Sequence, residues 1–237
     1  IKGFTWQQTH ADRLEYHFQF KTDQQWGYDL RYEETTLVLT LRHPPPIPAK
    51  PGDLRGVKIL IDPGHGGKES GAVGPTGYPE KEINLLISLK LAEILRSKGA
   101  KVHLTRTTDE FVSLGDRVAQ MEQVQPAIAL SIHYNALPDS GDPNTKQGIS
   151  AFWYQPQSQG LANALQQSLV QTLNRRDDGV YFNSLAVIRP AIAPAVLLEL
   201  GYMISPQEFE WITDSQAQTK LVEALANSVT QWLHQQR

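Results

Sequence analysis

Val57–Gly67 reads VKILIDPGHGG, a β-branched and apolar run that stops at Asp62 and gives way to Pro63, Gly64, His65, Gly66 and Gly67. An unbroken apolar run of this kind predicts an inner strand of a parallel sheet, buried on both faces. The proline and glycines behind it turn the chain out over the strand's carboxyl end with little side-chain bulk around the imidazole. In open α/β sheets that edge is where ligands bind. A histidine in a glycine-rich turn also serves as an ordinary hydrogen-bonding residue, so His65 alone leaves turn and metal ligand both open.

Downstream, short apolar runs alternate with helical patterns. Strands are predicted over Val57–Ile61, Lys101–Thr105, Ala127–Ile132, Ile149–Tyr154, Ala186–Arg189 and Val196–Leu200. Helices are predicted over Glu80–Lys98, Leu114–Val124, Gln159–Leu173 and Thr219–His234. The first carries Ile83, Ile87, Leu91 and Ile94 on one face, the last Val222, Leu225, Val229 and Leu233. Gly99 stands where a helix-ending glycine belongs. This alternation predicts an α/β fold: a mostly parallel twisted sheet of about six strands, flanked by helices.

Upstream, His43–Gly56 (HPPPIPAKPGDLRG) holds five prolines, which deny both helix and central strand and predict an extended linker. Before it, alternation over Leu14–Phe20 and Trp26–Tyr32 and the β-branched run Thr36–Leu41 predict a few antiparallel strands. They are too few for a sturdy independent domain. The expected plan is a small N-terminal β-rich extension over residues 1–42, the end of an upstream domain; a proline-rich linker over 43–56; and a catalytic domain over 57–237.

The 237 residues are 40% apolar and 20% charged with a net charge of −3, the balance of a globular protein without a nucleic-acid footprint. No apolar run has membrane-spanning length. The chain opens at Ile1 without the charged and apolar regions of a signal peptide, as expected of part of a longer protein. With no cysteine, disulfides and thiolate zinc sites are excluded, so any metal must be held by histidine and carboxylate.

Three predicted strands end in such residues: His65 on the first, His133 in ALSIHYNA on the third, and Glu199 in AVLLELGY on the last. If these strands run parallel, their carboxyl ends share one sheet edge and the three residues converge. Glu80 opens the first long helix, where a carboxylate is favourable for the helix dipole alone. Two histidines, one carboxylate and a free position nevertheless make an open catalytic zinc set. Glu199, in a strongly apolar run, is costly to bury unless paired or facing a polar cavity.

From residue 57 to about 234 the chain resembles the zinc-dependent N-acetylmuramoyl-L-alanine amidases of the Amidase_3 type, cell-wall hydrolases of the AmiC and AmiB kind. The resemblance rests on IDPGHGG, GAVGPTG followed by EKEINL, TRTTDEFVSLGDR, SIHYNA, LAVIRP and PAVLLELGYMISPQE, in that order. It implies one zinc ion held by His65, Glu80 and His133, with Glu199 as the catalytic carboxylate. Glu82 and Glu69 are the rival third ligands. Arg106, Arg117 and Asn135 also match recurrent positions, where the arginines tie strand and helix ends together and Asn135 caps or orients the turn beside His133. The asparagine usual after the serine of the last motif is missing, the chain reading Ile204, Ser205, Pro206. His10, His17, His43, His103 and His234 are read as structural or surface residues.

The implied activity is hydrolysis of the amide between N-acetylmuramic acid and L-alanine of the peptidoglycan stem peptide, in wall remodelling, septum splitting or septal perforation. A zinc peptidase acting elsewhere in the stem and an inactive wall-binding module are the rivals. The resemblance further implies a bacterial, periplasmic or otherwise exported monomer with peptidoglycan as its partner. An activating or localising protein would act through upstream domains. Some relatives carry an inserted helix that plugs the zinc site; between Tyr154 and Leu185 this sequence has room for one helix and a polar turn, Asn174–Gly179, so no plug is expected.

Overall fold

The computed structural model of the protein describes residues 1–21, 25–137, 142 and 145–237. Two antiparallel hairpins come first, β1 (Gly3–His10) with β2 (Arg13–Gln19) and β3 (Gly27–Glu33) with β4 (Thr36–Arg42). Then follow β5 (Lys58–Pro63), α1 (Glu80–Ser97), β6 (Lys101–Leu104), α2 (Leu114–Val124), β7 (Ile128–Asn135) and β8 (Ile149–Trp153). The chain ends with α3 (Pro156–Leu173), β9 (Asp177–Phe182), β10 (Ala195–Tyr202), α4 (Pro206–Thr213) and α5 (Ser215–Gln235).

Six strands form the central sheet in the order β6-β5-β7-β10-β8-β9. β6, β5, β7 and β10 are parallel, whereas β8 runs antiparallel to β10, with β9 parallel to β8. The fold is therefore the expected α/β one. Ile83, Ile87, Leu91 and Leu95 of α1, Leu161, Leu165 and Leu169 of α3 and Leu221, Leu225 and Val229 of α5 join the main core on one face of the sheet. Each such side chain contributes about 1.5–3 kcal/mol on burial. On the other face α2 and a 3-10 turn, Ala186–Ile188, pack over Leu60, Ala129 and Leu197.

Helix ends follow local chemistry. Ser113 caps α2 by accepting from the amide of Asp116, and Asp214 caps α5 by accepting from that of Ala217. Past α1, Gly99 adopts φ +93°, and the amide of Ala100 donates to Leu95 O, satisfying a last-turn carbonyl.

The structure corrects one strand. Ala186–Arg189 is not a strand but the 3-10 turn, for Pro190 directly behind it removes the next amide donor. The sixth strand is β9, whose first residues fall within the expected polar turn Asn174–Gly179. Its sequence DDGVYF lacks an apolar run because it is an edge strand. Helix α4 has no counterpart in the periodicity, which is short there and merges with α5.

The hairpin base is fixed to the far end of the sheet. Trp26 Nε1 donates to Ala127 O at 2.7 Å, its ring lies 5.3 Å from that of Trp232, and the Tyr28 amide donates to Ala191 O. Gly27 is needed there, since a Cβ would stand 2.5 Å from Ile192 O. Ala127 precedes β7 and Ala191 precedes β10, so the β3–β4 hairpin attaches at the amino ends of the strands, opposite His65.

Candidate active site

β5, β7 and β10 lie side by side and parallel, so the turns after them open on one edge. His65 follows β5 with a left-handed backbone, φ +57°, a conformation uncommon outside glycine. Two arginines hold it there. Arg117 donates from Nη1 to Pro63 O and from Nη2 to His65 O, while Arg106 donates from Nε to Pro63 O and from Nη2 to Gly64 O and Lys81 O. Arg117 also pairs at 2.5 Å with Asp62, which is buried and further accepts from Thr105 Oγ1 and Ser131 Oγ. Burial resists ionisation of Asp62, but the Arg117 guanidinium and the two hydroxyls hold its carboxyl below the usual range. The structure thus gives Arg106 and Arg117 the tying role expected of them.

Glu80, 3% exposed, is the first residue of α1. Its Oε1 accepts from Asn84 Nδ2 and the amide of Tyr134, and its Oε2 accepts from the amide of Ala72. Asn84, one turn along α1, also donates to Gly64 O, joining the helix start to the histidine loop. His133 Nδ1 lies 3.0 Å from Glu80 Oε1, and His65 Nε2 lies 3.3 Å from Oε2. Burial opposes the charge on Glu80; the hydrogen bonds to His133 and His65 outweigh it and hold the carboxyl well below its ordinary value.

Ligand atoms of His65, Glu80 and His133 all lie within 4.8 Å of one another, the one such group among the described residues. This set of nitrogen and carboxylate donors suits a divalent metal. The surrounding backbone is shaped to it: a Cβ on Gly64 would stand 2.2 Å from the His133 ring, and one on Gly71 would stand 2.4 Å from Glu80 Oε2. The residues present therefore fit a metal. The rival ligands do not enter the cluster: Glu69 and Glu82 are exposed, Glu69 making a small bridge to Gly66 through its backbone.

Glu199 is the register partner of His133 on the neighbouring strand, and its Oε2 is buried with no hydrogen-bond partner. Burial first, and the charge of Glu80 second, raise its carboxyl well above the usual value. Asn135 orients its turn, its Oδ1 accepting from the amide of Ala136 and its carbonyl from that of Met203. Where the usual asparagine is missing, Ser205 precedes α4 and its carbonyl accepts from the amide of Phe209, so the turn forms without it. Of the other histidines, His103 meets Gln120 and His17 meets Glu15; none of the five joins the cluster. Asn84 was not singled out in the sequence; its place four residues after Glu80 was the available signal.

The fold and the cluster together define an α/β protein with a His-Glu-His centre at the carboxyl edge of its sheet. The chain belongs to the N-acetylmuramoyl-L-alanine amidase family Amidase_3, whose model matches residues 59–231. It is 34% identical over 182 residues to the uncharacterized protein YqiI of Bacillus subtilis, covering 77% of this chain and 87% of YqiI. It is 32% identical over 181 residues to the probable cell wall amidase LytH of Staphylococcus epidermidis, covering 76% of this chain and 59% of that relative's length. The crystal structure of an N-acetylmuramoyl-L-alanine amidase from Clostridium difficile 630 superposes with a TM-score of 0.70 at 34% identity, over 75% of this chain and 96% of that one. The activity that goes with the family is hydrolysis of the amide between N-acetylmuramoyl groups and L-alanine.

Proposed function

We propose that the protein is a zinc-dependent peptidoglycan amidase, in which His65, Glu80 and His133 hold one zinc ion and Glu199 is the catalytic carboxylate. The observation that carries this reading is the unpartnered Glu199 oxygen, one strand away from a compact His-Glu-His cluster. A zinc ion, when bound, supplies polarisation of the amide carbonyl and acidification of a water. Glu199 accepts the proton of the attacking water and passes it to the leaving amine of L-alanine. Burial first, and the charge of Glu80 second, raise its carboxyl above the ordinary value, the direction that favours holding a proton on its way to the leaving group. Asn84 and the amides of Ala72 and Tyr134 orient Glu80, as the surroundings of a metal ligand commonly do.

The site acts on the cell wall, outside the cytoplasm, as the names of its relatives suggest. The chain is divided in this reading into a β-rich extension over 1–42, a linker over 43–56 and a catalytic domain over 57–237, and the start of the family match at residue 59 supports where the last part begins. Between β8 and β10 the chain forms α3, β9 and the 3-10 turn, and the apolar face of α3 lies in the core. This supports an uncovered site without an inserted plug. Metal analysis together with mass spectrometry of digested peptidoglycan tests the proposal. One zinc per chain and intact stem peptides with a free L-alanine amine are expected, whereas cleavage elsewhere in the stem would make the protein a peptidase.

A further inference from the structure

The register of the sheet fixes which side chains adjoin Glu199 on its own face. His133 stands beside it on β7 and Ser150 beside it on β8, while one step back along the strands Leu197 lies between Ser131 and Phe152. Gly201, two residues further along β10, brings no side chain. Three of these neighbours could donate to a carboxylate, and two of them are engaged elsewhere. His133 Nδ1 meets Glu80, and Ser131 Oγ donates to Asp62. Among the described residues that adjoin Glu199 on this face, the Ser150 hydroxyl is the donor left over. Ser150 is 1% exposed and its Oγ has no hydrogen-bond partner, the same condition as Glu199 Oε2.

Resting on the reading of Glu199 as the catalytic carboxylate, we propose that Ser150 is its positioning residue, donating from Oγ to Glu199 Oε2 and leaving Oε1 to exchange the proton with water and the leaving amine. Directly opposed residues of an antiparallel pair have Cβ atoms about 4.5–5.5 Å apart. Staggered turns of the serine hydroxyl and of the glutamate side chain close that gap without moving the backbone. A buried donor and a buried acceptor kept apart each cost free energy that joining them recovers. A carboxylate held at one oxygen keeps the other aimed at the reacting atoms, whereas an unheld one samples orientations in which no proton passes.

A role in the fold alone does not account for this serine. Its hydroxyl makes no bond to the sheet or its cover, so alanine would fill the same buried strand position at less cost. A hydroxyl also supports the carboxylate without adding charge beside the His-Glu-His cluster, and a donor to the charged form offsets part of the cost of carrying that charge in a buried place.

The experiment is a kinetic cycle on the whole zinc-loaded chain with a soluble N-acetylmuramoyl-peptide as substrate. Ser150→Ala lowers kcat about tenfold with KM within about twofold, the loss expected when a hydrogen bond to a charged group is removed. In the Glu199→Gln background the same substitution costs nothing further, because the carboxylate it served is gone. Ser150→Thr, which keeps the hydroxyl, restores most of the rate. Zinc content and the thermal unfolding midpoint stay near wild type throughout. A readout independent of turnover comes from the metal-free chain carrying 13C at its glutamate carboxyls: the Glu199 signal, recognised by its absence in Glu199→Gln, moves in Ser150→Ala and returns in Ser150→Thr. Undiminished kcat in Ser150→Ala, an equal loss in both backgrounds, or an unmoved Glu199 signal would overturn the proposal. Hydrolysis by Glu199→Gln at the wild-type rate, or no release of free L-alanine amine by wild type, rejects the reading on which it rests. An inactive Glu199→Gln beside a fully active Ser150→Ala rejects only the positioning role.

Discussion

At the scale of single residues, the proposed site rests on four side chains to which different duties are assigned. His65 and His133 stand at strand ends, and neither belongs to the apolar core. His65→Ala and His133→Ala should each lose zinc and activity while the fold survives, because no large core cavity opens. Metal analysis beside circular dichroism checks this, and stoichiometric zinc in both variants would remove the pair from the ligand set. Glu199 is distinct in having an oxygen with no partner and a raised carboxyl. Glu199→Gln keeps the shape and removes the proton acceptor, so hydrolysis should fall by roughly two to four orders of magnitude with zinc content near one. Wild-type digestion of peptidoglycan by that variant would assign the proton transfer to another group.

At the scale of elements, β5 is joined to β6, β7 and α2 by the buried carboxylate of Asp62, which meets Thr105, Ser131 and Arg117. Arg117→Ala strands that charge in the interior and should cost about 3–5 kcal/mol in urea unfolding. It should also loosen the turn at His65, whose carbonyl Arg117 holds. The pH dependence has a definite sign. Because the folded carboxyl of Asp62 lies below its unfolded value, its contribution is complete above about pH 4 and is lost as pH falls through the lowered folded value. Urea midpoints measured down the acid range should therefore fall less steeply for Asp62→Asn than for wild type. Equal slopes would show that other carboxylates govern the acid limb.

At the scale of the molecule, the edge that carries the His-Glu-His cluster and the attachment of the β3–β4 hairpin lie at opposite ends of the sheet. Substrate can therefore approach that edge without displacing the β3–β4 hairpin. The segment between β8 and β10 is occupied by elements already built into the sheet and its cover. The zinc-loaded chain should accordingly release stem peptides from purified peptidoglycan with no activator present. An inert, zinc-loaded sample rescued by a second protein would reverse that expectation. The hairpins each turn one apolar face outward, with Phe4, Trp6 and Tyr16 exposed on the first and Leu30 and Tyr32 on the second.

What the sequence determined by itself were the features with a local or periodic cause. The apolar run before Pro63, the spacing of Ile83, Ile87 and Leu91, and the glycine after α1 each act over a few residues, and each marks the element found. The convergence of His65, His133 and Glu199 is legible because residues at the ends of parallel strands share an edge, whereas Glu80, at a helix start, is singled out only by the family resemblance. Tertiary structure decided what depends on neighbours far away in the chain. β9 became the sixth strand because β8 offered it a free edge, although DDGVYF carries little apolar signal; AVIR had no such edge and closed into a 3-10 turn. Asn84 acquired its role because Gly64 and Glu80 both came within reach of its amide. The left-handed backbone at His65 is likewise tolerated because Arg106 and Arg117, more than forty residues downstream, satisfy the carbonyls around it. Short-range propensities are written in the order of residues, whereas burial, pairing and charge balance are set only when distant segments meet.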